Sequence, residues 1–115
     1  MLVAGCVVLA LSCGTVLTGC AQRDGAALAS QACSHVERGL AAERKATSAS
    51  PVEAIHLKAE ALEQVRAALP LAAVAAGDDT DWQALEMTLS ESSRVPLKYL
   101  VGALAQQCAS PSGDG

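Results

Sequence analysis

Cys33, His35 and Glu37 alternate along one short stretch and offer the thiolate, imidazole and carboxylate ligands that zinc takes. That chemistry needs Cys33 to be a free thiol. His56 has Glu53 three residues before it and Glu60 four after it, which is the Glu-x-x-His step used by carboxylate-bridged di-iron bundles. Such centres require a second copy on another helix and two further inward carboxylates. The chain holds one copy, on what the pattern makes an outward helix face. Asp78, Asp79 and Asp81 lack the spacing and the terminal glutamate of a calcium loop. No serine sits in a Gly-x-Ser-x-Gly turn, neither histidine has an evident triad partner, and no Cys-x-x-Cys pair occurs. The expectation is a protein without metal, cofactor or catalytic residues, and not an enzyme.

Charge divides the chain sharply. All 8 basic and 12 acidic residues lie at or beyond Arg23, after the opening run MLVAGCVVLALSCGTVLTGC. A formal net charge of -4 supplies no basic stripe to displace phosphate counterions, which argues against nucleic-acid binding. Positions 2 to 17 read as the apolar region of an export signal, too short and too interrupted by Gly5, Ser12, Cys13 and Gly14 to span a bilayer. They end in Leu17, Thr18, Gly19 and Cys20. Here the sequence resembles bacterial lipoproteins, whose lipobox runs leucine, small residue, glycine or alanine, cysteine. The resemblance implies that Cys20 receives a diacylglycerol and fatty acid such as palmitate, that a peptidase cuts before it, and that the protein sits on the extracytoplasmic face of the cell membrane. It covers residues 1–20 and says nothing of the rest; the alternative is an uncleaved N-terminal helix. A signal normally opens with Lys or Arg, so the natural reading frame is expected to extend upstream of Met1 and to add at least one.

The elements after Cys20 are helical. Hydrophobic residues make up 51% of the chain but aromatic ones only 2%, so the apolar surface is Ala, Leu and Val, a composition of helices rather than sheets. A first helix is expected from about Ala26 to Ala46, burying Ala29, Cys33, Val36 and Leu40. Ser50, Pro51 and Glu53 then signal an N-cap, a first-turn proline and a capping box. The second helix should bury Ile55, Ala59, Leu62, Val65 and Leu69, turn Glu53, His56, Glu60 and Glu63 outward, and kink at Pro70 rather than stop. After a cap at Asp79 or Thr80, a third helix from about Asp81 to Ser90 should bury Trp82, Leu85 and Leu89. A fourth, from about Pro96 to Ala109, should bury Leu97, Leu100, Val101, Leu104 and Cys108.

Four amphipathic helices with short links make a small all-α antiparallel four-helix bundle, since neighbours joined by short loops reverse direction. The organisation expected is a signal peptide at 1–19, a lipidated cysteine and tether at 20–26, the bundle at 27–109 and a mobile tail at 110–115. In that topology the first helix begins where the fourth ends. With Cys6 and Cys13 removed in the signal and Cys20 committed to lipid as the lipoprotein resemblance implies, Cys33 and Cys108 remain in an oxidising compartment and should form a disulfide. That pairing takes the sulfur away from any zinc site at His35. Met87, Val95 and Tyr99 stand off the apolar stripes, which makes them the candidates for a docking patch, though they are expected mainly to fill the edges of a wide core. Two functions fit: a membrane-anchored interaction module that docks to an envelope protein, or a carrier of a small apolar ligand or lipid between its helices.

Overall fold

A computed structural model describes residues 25–109; the signal, the Leu17–Cys20 motif, the tether as far as Asp24 and the tail from Ser110 lie outside the described residues. Four α-helices follow one another: α1 (residues 25–46), α2 (Pro51–Asp78), α3 (Gln83–Glu91) and α4 (Val101–Ala109). Short 3-10 turns, Thr80–Trp82 and Leu97–Tyr99, lead into α3 and α4. The third and fourth helices thus begin as tighter turns than the periodicity predicts. In the first of these, Asp79 caps by accepting from the Asp81 N–H at 3.0 Å. Asp79 and Asp81 are spent on starting a helix, where the helix dipole favours acids.

The αα-hairpin of α1 and α2 is the frame. Its loop is four residues long, with the Thr47, Ser48 and Ala49 N–H groups bonded to the Arg44, Lys45 and Ala46 carbonyls. Ser50 caps α2 through its hydroxyl, which accepts from the Glu53 N–H at 3.4 Å. Glu53 makes no return bond among the described residues, so half of the expected capping box forms. α2 runs unbroken through Pro70 to Asp78. The two helices are antiparallel: Gly25 abuts Asp78, and Gly39 abuts Ala61 and Val65. α3 packs on α2 and α4 on α3, while the Cys33–Cys108 disulfide joins α4 back to α1.

The first, third and fourth helices bury the expected residues. Ala29, Cys33, Val36 and Leu40 face inward from α1, as do Trp82, Leu85 and Leu89 around α3. Leu97 and Leu104 are buried, with Leu100, Val101 and Cys108 packed against them. Leu85, Leu89, Leu104, Val36 and Val65 are the largest fully buried side chains, each leucine contributing about 2 kcal/mol by removal from water.

The expected face of α2 requires correction. Its buried residues are Ala61, Val65, Ala68, Ala72, Ala75 and Ala76, whereas Ile55 and Ala59 are exposed and Leu62 and Leu69 are half-buried. Two causes act together. Helix rise makes α2 about 42 Å long and α3 and α4 about 14 Å each, so the short pair covers only part of the long hairpin. The α1–α2 seam also selects small side chains: a Cβ placed on Gly39 would lie 3.1 Å from the Ala61 carbonyl oxygen and 3.4 Å from Val65 Cγ2. Met87 and Tyr99 are corrected as well. They are 66% and 69% exposed and fill no core edge; Val95 is half-buried.

The seam yields a direct expectation. Gly39→Leu should destabilise the protein by about 2–3 kcal/mol, because the added atoms meet backbone that cannot move aside. Gly39→Ala should cost much less, since the gain in helix propensity offsets part of the crowding. Urea unfolding midpoints of the two variants measure the difference, and equal midpoints would mean a looser seam than the one described.

Candidate functional site

Cys33 lies two turns into α1, and α4 returns to that level at its last turn. The two α-carbons are 5.4 Å apart and the sulfurs are bonded, within the spacing a disulfide demands. This bond settles the chemistry available to its neighbours. His35 has no thiolate beside it; its Nδ1 lies 2.8 Å from Gln64 Oε1 on α2. An amide oxygen only accepts, so Nδ1–H donates and the bond becomes a polar stitch across the hairpin. Glu37 is exposed.

The other sequence motifs stay apart. Glu53, His56 and Glu60 lie on the exposed side of α2, as their phase requires. Among the described residues no three His, Cys, Asp or Glu side chains converge as a metal site would need. The close Arg94–Glu91 pair spans one turn at the end of α3. Its exposure to solvent limits its worth.

Clefts on the surface of the bundle among the described residues include three of note. One of about 440 Å³ runs beside the disulfide and is lined by Ala26, Ser30, Ser34 and Glu37 of α1 together with Trp82 and Cys108. A smaller one, about 190 Å³, lies between Val36, Leu40 and Arg44 of α1 and Ala105 of α4. The third, about 350 Å³, occupies the step where the α3–α4 link stops short of the hairpin tip; Glu43, Lys58, Leu62, Ser92, Leu97 and Lys98 line it.

Sequence periodicity passed over Glu43. It is 8% exposed, the one buried charged residue among the described residues. Its place was nevertheless signalled, because it follows Val36 and Leu40 at spacings of seven and three and so continues the apolar stripe of α1.

Beyond the step, α2 carries Val52 and Ile55 at 68% and 69% exposure. They are three residues apart and hence on neighbouring positions of one helix face. Leu57 in the next turn is packed against the core. The hairpin tip therefore presents branched apolar side chains to solvent at the end remote from the disulfide. No described helix is long and apolar enough to cross a membrane. No family model, curated protein or solved structure matches this chain.

Proposed function

We propose that the protein is a lipid-anchored component of the bacterial cell envelope that works as a small helical interaction module, holding the tip of its α1–α2 hairpin out to an envelope protein. The exposure of Val52 and Ile55 at that tip carries the proposal: large apolar groups held outside the core are the expected mark of a protein contact. The polarity of the hairpin supports it. α1 starts five residues after Cys20, a stretch that can reach no more than about 17 Å, and the tip lies about 33 Å farther along the helix. A lipid on Cys20 would keep the disulfide end near the bilayer and leave the tip facing away. The disulfide itself suits an extracytoplasmic compartment. A carrier would instead need space between helices, and the Gly39–Ala61 contact closes the α1–α2 seam.

A photoreactive amino acid at position 55, introduced in cells, is expected to trap a discrete envelope protein. The same probe at exposed Thr80, near the anchored end, should not. Ile55→Glu and Val52→Glu should abolish capture while leaving the melting temperature within about 2 °C, since surface changes of this kind are usually within ±0.5 kcal/mol. Equal adducts from positions 55 and 80, or none from either, would refute docking through the tip.

A further inference from the structure

We infer that the Cys33–Cys108 bond is a redox-operated latch: a dithiol reductant reaches it through the cleft beside it, and its reduction releases α4 while α1–α3 stay folded. This inference is independent of the tip as a docking surface and of the lipid anchor.

Taken alone, α4 is a weak helix. It has 9 residues, fewer than the roughly 12–15 at which an isolated helix becomes even marginal in water. Gly102, near its start, has no atom within 4 Å of the position a Cβ would take, so this glycine lowers helix propensity without permitting any close approach. The first turn carries no acid and the last turn no base, which leaves the helix dipole uncomplemented. The order of α4 therefore depends on what it packs against.

That packing is thin. Gly102, Ala103, Ala105, Gln106 and Ala109 are exposed, and Leu104 is the one buried residue of the helix. Gln107 donates from Nε2 to Thr88 Oγ1 on α3 at 2.9 Å, but its Oε1 is buried with no hydrogen-bond partner, the one such side-chain atom among the described residues. Docking on α3 thus strands an acceptor that a released α4 would return to water. Towards α1 the contact is interrupted: the cleft of about 190 Å³ lies between Val36 and Leu40 of α1 and Ala105 of α4. Cys108 lines both this cleft and the larger one of about 440 Å³. The bond between two openings is what ties α4 to α1. The other helices have support of their own, since Val65, Ala68, Ala72, Leu85 and Leu89 belong to one core and α3 packs directly on α2. Release of a weak terminal helix is then separable from global unfolding.

Access follows from exposure. Cys33 is 8% exposed and Cys108 is half-buried, and both line the larger cleft, so attack falls on Cys108. One thiolate of the dithiol bonds to Cys108 Sγ, the bond to Cys33 breaks, and Cys33 leaves as a thiolate that takes up a proton. The second thiolate of the dithiol then attacks its own sulfur in the mixed disulfide; Cys108 leaves and is protonated in turn, and the reductant ends as a disulfide. Two electrons pass to the protein, and the two protons that the dithiol gives up balance those the cysteines gain.

The test uses the full-length protein in mild detergent with dithiothreitol as the probe, followed by amide chemical shifts well below the melting midpoint of the reduced form. On reduction the amides of residues 101–109 are expected to move to random-coil values, while those of Val65, Ala68 and Leu85 keep native shifts. The reduction rate should rise in proportion to dithiothreitol, as attack on the folded protein requires. Ser30 is exposed and lines the larger cleft, so Ser30→Trp should slow reduction at least fivefold without moving the melting temperature of the oxidised protein. Gly102→Ala places its methyl group in open space and should shift the reduced protein towards docked α4 by about threefold to fivefold through propensity alone. Native shifts across α4 after reduction, or loss of α4 only together with α2, would overturn the inference, as would a reduction rate that does not respond to dithiothreitol concentration.

Discussion

Reduction of the Cys33–Cys108 bond is expected to lower the stability of the bundle by about 4 kcal/mol, the largest effect of any single bond in the domain. The two cysteines are 75 residues apart, so opening the bridge releases a loop that spans most of the helical bundle, and a long loop carries a large closure entropy. Small domains have roughly 5–15 kcal/mol in total. A loss of this size should move the thermal midpoint down by on the order of 20 °C. The native contacts of the bridge matter less than its effect on the unfolded chain, so Cys33→Ala with Cys108→Ala should match the reduced protein closely. Thermal melts of the chain from Ala21 onward, oxidised, reduced and doubly substituted, give the answer. Two freely titrating thiols in protein isolated from the cell envelope would contradict the pairing and reopen metal binding at His35.

The second large effect concerns Cys20, and it should be all or none. If the thiol is the site of acylation, Cys20→Ala removes the nucleophile that accepts the lipid, and labelling with a fatty-acid probe should fall to background. The contribution of the acyl chains to membrane association, roughly 0.8 kcal/mol per buried CH₂, should be lost with the label. Undiminished labelling of Cys20→Ala would exclude lipidation there.

Much of the frame is legible in the residues that direct the chain locally. Ser50 and Pro51 mark the start of α2 because a capping hydroxyl and a proline without an N–H suit only that position, and the structure places both there. The Cys33–Cys108 pair follows from topology, since an even number of antiparallel helices returns the chain to its starting level. The α2 face is harder to read. Its period is plain, but Leu, Ile and Ala compete for the inward phase, and the larger residues draw the expectation towards Ile55 and Leu62. The preference for alanine comes from Gly39 on another helix, and the exposure of Ile55 comes from the shortness of α3 and α4. Neither constraint is written in α2 itself.

The polar cleft shows the same division. Glu43 sits at an apolar-stripe position of α1, which marks it as unusual within its own helix. That Lys58, Ser92 and Lys98 gather round it depends on where the α3–α4 link ends along the hairpin, a distance set by helix lengths. Met87 and Tyr99 do stand off their stripes, as periodicity indicates. Both are exposed because nothing among the described residues covers them.

The envelope assignment rests on one residue whose chemistry leaves a definite mass. Intact mass spectrometry of the protein extracted from bacterial membranes, without reductant, is expected to give a chain that begins at Cys20, carries a diacylglycerol on that cysteine and lacks the two hydrogens lost in forming the Cys33–Cys108 bond. A chain that retains residues 1–19 with Cys20 unmodified would contradict it.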